Sequence, residues 1–572
     1  MRAAPMKTRA LSLPHRAELA LRRRLPALSP QALTLLVCLV FTFFYNQRFW
    51  AETFAAEPPA GLADWGHVIG YGVILTLLHY MVFLPFINRI SVKPLLSALL
   101  LLAAGVSYFT GHYGVYFDTH MIDNLVQTDT REATELLTPG LATYMALYAA
   151  LPMALLWLWP LRQRTWQRGL GMSLLWLTGA IAVLVVALLL SFQSVSSLMR
   201  NQHELRFLVT PGNAIVSTGQ VLAADDPLPS ERLPIGEDAR RQPSATGAPR
   251  LMVLVVGETV RAANWGLSGY SRQTTPKLAE RKLVNFPRVS SCGTSTAVSL
   301  PCMFSPFGRG NYNERYILSH ESVLDVLQRA GYRVVWIDNQ SGCKGVCDGV
   351  ERRTPSAEDY PEKCRSGACL DEVLVDELER QAASVEEDTV IVLHMLGNHG
   401  PSYSHRYPAT QRAFTPTCEE ADLGKCTRDS IVNSYDNAVR YTDSVLDAMI
   451  EALEHQPSLD SALLYVSDHG ESLGEGGIFL HGLPYAIAPD EQTRVPMIWW
   501  SSPGFDRGAG LDAECLSRQA ERTVSHDHLF HTLLGVLGVE SSVIDARLDF
   551  TQDCRRLEPE FVVQLDASDR ER

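Results

Sequence analysis

The stretch RLMVLVVGET, residues 250 to 259, decides the fold. Its six consecutive apolar side chains, Leu251 to Val256, leave no polar face, which is the pattern of a strand buried on both sides. The run stops at Gly257, so Glu258 and Thr259 stand just beyond the carboxyl end of the predicted strand. Runs of the same kind recur at Arg333 to Ile337, Thr389 to His394, Ala462 to Val466 and Val495 to Trp500. Helical patterns separate them over Ser322 to Ala330, Glu372 to Ala382 and Ile431 to Leu453. Strand and helix in alternation predict a three-layer α/β sandwich with a mostly parallel sheet.

Ligands of such sheets bind outside the carboxyl ends of the strands, and the residues found there are of one chemical kind. Glu258 follows the first run, Gly397-Asn398-His399-Gly400 follows a later one, and Ser467-Asp468-His469-Gly470-Glu471 follows another. Carboxylate and imidazole ligands suit zinc or manganese, and Glu258, Asp468 and His469 make a three-ligand set with a fourth position open for chemistry. His481 lies a short loop beyond and can reach the same pocket. The segment CGTSTAVSLPC, residues 292 to 302, supplies hydroxyls at a predicted helix start, where amide groups and a metal would favour the alkoxide. Spacing leaves Thr294, Ser295, Thr296 and Ser299 all open as the nucleophile. His394, at a strand end, reads as a hydrogen-bonded core residue, and His526, His528 and His531 as surface or capping residues.

Upstream of residue 250 the chain is of another kind. The 572 residues are 46% hydrophobic, and five apolar runs near 29–47, 66–87, 94–115, 140–161 and 170–192 are each long enough to cross a bilayer. Through residue 210 there are 16 Lys+Arg against 10 Asp+Glu, and after it 34 against 53. The acidic back half has no basic block for a phosphate backbone, which argues against nucleic acid as a partner. Basic residues gather before the first span, at Arg89 and Lys93, and at Arg162, Arg164 and Arg168, so these segments belong on the cytoplasmic side. An odd number of spans then puts everything after 192 outside. Cysteine usage agrees: ten of eleven cysteines follow residue 290 and read as disulfides, the neighbouring pairs being Cys292 with Cys302, Cys343 with Cys347, Cys364 with Cys369 and Cys418 with Cys426, while Cys515 and Cys554 would make a more distant fifth pair that spacing leaves open. The organisation expected is a cytoplasmic basic N-terminus at 1–28, a five-helix transmembrane domain at 29–192, an interfacial helix and Pro-rich linker at 193–249, and a periplasmic catalytic domain at 250–572.

Four stretches, VVGETVRAANWGLSGY at 255, SCGTSTAVSLPCMFS at 291, LHMLGNHGPSYSHRYP at 393 and YVSDHGESLGEGGIFLHGLPYAIAP at 465, together resemble the lipid A phosphoethanolamine transferases that confer polymyxin resistance. That family sits within the alkaline phosphatase and sulfatase-like superfamily. The resemblance implies that Thr296 is the nucleophile and that Glu258, Thr296, Asp468 and His469 surround one tightly bound zinc ion. It implies that His399 and His481 bind the phosphoryl group or a second zinc, or transfer protons. Ser341 and Lys344 match positions near the phosphoethanolamine, and Asn124, Thr128 and Glu132 match donor-binding positions, whose i, i+4, i+8 spacing places them on one helical face. The implied reaction carries phosphoethanolamine from phosphatidylethanolamine through a threonine intermediate to lipid A, in the bacterial inner membrane, with the chain acting as a monomer.

Rival readings have their own requirements. A sulfatase needs Arg four residues after its Cys or Ser, and Ser299-Leu-Pro-Cys-Met303 has Met there. A metal-dependent phosphodiesterase shares the metal site, and the same transfer to a core sugar or a periplasmic glucan shares all of the chemistry. A transporter or inert sensor lacks support, since the spans carry no paired ionisable set.

Overall fold

The computed structural model describes residues 25–128, 130–162, 165–223, 229, 231–242, 246–365 and 368–555. Two compact units result, one of Met1–Ile122 with Leu137–Leu222, the other of Asp123–Leu136 with Ala223–Arg572.

Among the described residues of the first unit four helices are long and apolar enough to cross a membrane: Asp64–Phe86, Val92–Tyr113, Pro139–Leu158 and Trp166–Ser196. A bent pair, Pro30–Tyr45 and Gln47–Ala56, with 59° between its halves, gives a fifth where the pair counts as one span. Ser29 caps its start by accepting the Ala32 N–H at 3.1 Å, ahead of Pro30 at a position where proline costs no hydrogen bond. The bend follows one π turn, Phe41–Tyr45, and falls at Asn46, whose side-chain amide donates to the carbonyls of Phe41 and Thr210. A polar side chain thereby satisfies backbone groups that the break would leave bare. The last long helix, Trp166–Asn201, runs 36 residues without interruption, so residues 193–201, expected to begin the interfacial segment, continue that helix.

The second unit is built on an eight-stranded sheet. In chain order its strands are β1 Arg250–Gly257, β2 Val284–Ser290, β3 Arg333–Asp338, β4 Glu351–Arg353, β5 Thr389–His394, β6 Asp460–Ser467, β7 Arg494–Ser501 and β8 Val524–Ser525. Across the sheet they lie β8-β2-β7-β6-β1-β5-β3-β4. β1 is central, parallel to β5 on one side and β6 on the other, and every residue of these three strands is buried. β7 runs antiparallel to both β6 and β2, which makes the sheet mixed. A buried apolar run such as β7 reads the same in either direction, so only the connections decide its sense. β2 carries Pro287 and Arg288 and alternates in burial, which hides it from a search for continuous apolar runs.

Helices cover both faces, the longest being Arg428–Glu454. The core on one face joins Met252, Leu254 and Val256 of β1 to Phe304, Leu324, Trp336 and Phe530. All five expected cysteine pairs are disulfides.

Candidate active site

The carboxyl ends of β1, β3, β5 and β6 converge, and each delivers polar side chains from the residues just past its last hydrogen bond. Glu258 leaves β1, and Asp468 and His469 leave β6; all three are fully buried. Each offers a ligand atom, and these atoms lie within 4.8 Å of one another. Close backbone approach holds Glu258 in place. Gly397, at φ +57°, sits where a Cβ would come within 2.6 Å of the Glu258 carbonyl oxygen, so only glycine fits.

Thr296 begins the helix Thr296–Met303, inside the ring closed by Cys292 and Cys302. Its Oγ1 lies 3.1 and 3.0 Å from the two oxygens of Glu258 and 3.3 Å from His469 Nε2. The other three hydroxyls make no hydrogen bond to Glu258 or His469. Thr294 donates to the Leu483 carbonyl, Ser299 donates to the Asp468 carbonyl, and Ser295 is the helix N-cap with no side-chain capping bond. Geometry therefore separates four candidates that spacing leaves equal.

The Nδ1–H of His469 donates to the Gly470 carbonyl at 2.9 Å, which orients Nε2 toward Glu258 Oε1 and Asp468 Oδ2, each at 3.4 Å. Fixing one ring nitrogen to orient the other is how proteins prepare a histidine ligand. Asp468 Oδ1 accepts the amides of Thr259 and His469, while Oδ2 is buried without a hydrogen-bond partner. Among the described residues no Lys or Arg pairs with either carboxylate. The electrostatics state the same need. Burial and the neighbouring Glu258 charge push the Asp468 carboxyl up to about 6. Burial opposes the charged form of His469, yet the charges of Asp468 and Glu258 draw its pKa up to about 10. For Glu258, burial acts upward, but the hydrogen bond and charge of His469 hold its carboxyl well below the usual range. Two buried carboxylates, an orphaned oxygen and an oriented imidazole fit a divalent cation.

Around this set lie residues of three further loops. His481 packs at a tilt on His469, ring centres 4.5 Å apart, and the His399 ring lies 5.4 Å from His481. Ser341 and Lys344 follow β3, with Lys344 Nζ 3.3 Å from Ser341 Oγ. Among the described residues three other than glycine have positive φ, Thr259, Lys344 and Leu480, and each is, or adjoins, one of these side chains. Strain of this kind concentrates at functional sites.

The run holding Asn124, Thr128 and Glu132 corrects one expectation. It is two helices, Thr119–Gln127 and Thr130–Glu135, not one continuous face. Thr128 Oγ1 donates to the Asn124 carbonyl at 2.8 Å, so these two stay within one turn of each other. The side chain of Glu132 lies outside the described residues.

Several residues escaped the sequence reading. Gln340 donates to Glu258 Oε2 at 2.8 Å, yet an amide after a strand carries no motif. Glu471, fully buried, accepts from His481 Nδ1 at 2.8 Å and from the Tyr403 hydroxyl at 2.6 Å, which turns His481 Nε2 toward the site; its place in the Asp-His-Gly-Glu run was the available clue. His526 is not a surface residue. It is 2% exposed, accepts the Cys292 N–H at Nδ1 and donates from Nε2 to the Ser467 carbonyl, tying the disulfide ring to the end of β6. His394 is buried, with Nδ1 3.1 Å from Asp338 Oδ1, as a core residue should be.

Comparison with known proteins places this geometry. Residues 250–539 match the family model described as Sulfatase, and residues 75–225 match that described as Phosphoethanolamine transferase EptA/EptB. The phosphoethanolamine transferase EptA of Escherichia coli (strain K12) is 40% identical over 547 residues, covering 93% of this chain and 98% of its own length. The chain belongs to the phosphoethanolamine transferase family. Another member, the phosphatidylethanolamine transferase Mcr-2 of Escherichia coli, is 34% identical over 92% of this chain and 98% of its own. The solved integral membrane protein lipooligosaccharide phosphoethanolamine transferase A of Neisseria meningitidis superposes with a TM-score of 0.90 at 38% identity, over 93% of this chain and all of its own. Membership accounts for both units at once: a multi-pass membrane part joined to a sulfatase-like sheet, as the resemblance implied.

Proposed function

We propose that this chain transfers phosphoethanolamine from phosphatidylethanolamine to a phosphate group of lipid A, with Thr296 as the nucleophile. The observation that carries this reading is the position of Thr296 Oγ1, the one hydroxyl of its loop within hydrogen-bond reach of both Glu258 and His469. Glu258, Asp468, His469 and Thr296 would hold a zinc ion, the ligand chemistry favouring it, with a second ion near His399 and His481. When bound, zinc lowers the pKa of a coordinated hydroxyl and neutralises charge on a transferring phosphoryl group.

The chain's own groups carry the rest. In the first half Thr296 loses its proton to the Glu258 carboxylate and Oγ1 bonds to phosphorus. The bond from phosphorus to the glycerol oxygen breaks, and diacylglycerol leaves after its oxygen takes a proton from His481. In the second half an acceptor phosphate oxygen bonds to phosphorus, the Thr296 ester bond breaks, and Thr296 recovers its proton while His481 takes that of the acceptor. Glu471 supports both steps by holding His481 through Nδ1. Asn124, Thr128, Glu132, Ser341, Lys344 and His399 contact the donor. The inner membrane houses the protein as a monomer, with residues 1–28 cytoplasmic and 250–572 periplasmic; the basic cytoplasmic loops and the five disulfides support that orientation. Both substrates are lipids, so membrane attachment removes much of the positional cost of bringing them together. Loss of negative charge from lipid A then weakens binding of cationic peptides such as polymyxin.

Mass spectrometry of lipid A from a Gram-negative host tests the reading. Expression of the wild type should add one phosphoethanolamine, and Thr296→Ala should add none. Modification retained in Thr296→Ala removes Thr296 from its role; no modification in either moves the acceptor elsewhere in the envelope.

A further inference from the structure

Arg406 lies in the loop after β5 and is 5% exposed. Its Nε donates to the His399 carbonyl at 2.7 Å, and its Nη2 donates to Glu135 Oε2 at 2.6 Å. A buried guanidinium is costly without a carboxylate, and this one draws its carboxylate from 271 positions earlier in the chain. Glu135 ends the helix Thr130–Glu135, within the segment Asp123–Leu136 that packs as part of the catalytic unit although its sequence falls between two membrane spans.

The other end of that segment is placed independently. Asp123 is an electrostatic neighbour of Tyr312, and Tyr312 packs on the cluster formed by Cys292, Cys302 and Ile317. One end of Asp123–Leu136 is therefore within electrostatic range of a side chain packed on the ring that carries Thr296, and the other is bonded to the loop that carries His399. Asn124 and Thr128 lie between these two attachments, and the first short helix ends at Gln127. The bond from Thr128 Oγ1 to the Asn124 carbonyl fixes their mutual spacing, so the end contacts are left to fix where the pair sits.

We propose that the Arg406–Glu135 ion pair is a latch that holds the donor-contacting segment against the His399 loop, making both residues positioning residues for the lipid donor. This rests on the donor reading given above. The pair touches the segment at its end and the His399 backbone at its carbonyl, so it sets where the lipid part of the donor sits relative to Thr296. Loosening it should weaken donor binding while leaving Thr296, Glu258 and His469 in place.

The test uses the purified full-length protein in detergent micelles with dioleoyl phosphatidylethanolamine, following diacylglycerol release. Glu135→Gln should raise KM by about tenfold, the effect of one lost charge-assisted hydrogen bond, with kcat within twofold of wild type, and Glu135→Asp should recover most of the loss. A fall in kcat at unchanged KM would mean that the pair acts on the chemistry through His399 and would overturn the latch. Unchanged kinetics in Glu135→Gln would overturn it as well. Absence of diacylglycerol release by the wild type would instead refute the donor reading, and the latch with it.

Discussion

His526 should make the catalytic unit acid-labile in a way that a single substitution cancels. Burial is the main cause that lowers its pKa from 6.5 to about 4, and the geometry adds a reason. Nε2–H is committed to the Ser467 carbonyl and Nδ1 accepts the Cys292 amide, so a second proton would face a donor. In the unfolded chain the ring titrates at the ordinary value. Because the folded value is the lower one, this contribution to stability is complete above pH 6.5 and is lost as pH falls toward 4. Linkage puts the loss at about 2 kcal/mol by pH 5 and about 3 kcal/mol by pH 4. In His526→Asn the side-chain oxygen can still accept the Cys292 amide, but nothing titrates. Denaturant unfolding of the detergent-solubilised protein, followed by tryptophan fluorescence at pH 7.5 and pH 5, measures the difference directly. The wild type should lose about 2 kcal/mol more than His526→Asn over that interval. Metal loss on acidification affects both proteins and cancels in the comparison. Equal losses would refute the assignment of His526 as a buried neutral hub.

Three further expectations concern the same site. Glu258→Gln removes one of two buried charges and should reduce bound zinc well below one ion per chain by elemental analysis; full occupancy would exclude Glu258 from the ligand set. Gln340→Ala removes the amide bonded to Glu258 Oε2 and should lower kcat/KM by roughly tenfold, in line with about 1 to 1.5 kcal/mol for one buried hydrogen bond, with the unfolding midpoint nearly unchanged. Replacing Cys292 and Cys302 together by serine opens a loop of sequence separation 10 and should cost about 3 kcal/mol of stability in the loop-entropy model. Activity should fall further than stability accounts for, because the ring also positions Thr296.

Much of the site was legible because parallel strands announce themselves locally. β1, β5 and β6 are short apolar runs, and the residues next along the chain are those that a strand-end site must use, so Glu258, His399, Asp468 and His469 could be named without coordinates. β2 was not legible, because Pro287 and Arg288 break its run and its burial alternates. The donor-matching run Asn124, Thr128 and Glu132 was read as one helical face; a break after Gln127 makes it two helices, which periodicity over three points could not reveal.

The sequence by itself determined the two-part organisation, the α/β class, the four short-range disulfide pairs and the kinds of side chain at the strand ends. Each of these depends on residues close together in the chain: an apolar run long enough for a bilayer, a run too short for anything but a buried strand, cysteines a few positions apart. Only the tertiary structure decided which of four neighbouring hydroxyls faces Glu258, that His526 is buried rather than exposed, that β7 runs antiparallel, and that Glu135 meets Arg406. Those outcomes depend on where crossover connections return the chain. Side chains hundreds of residues apart become neighbours through packing, and no local period in the sequence records that distance.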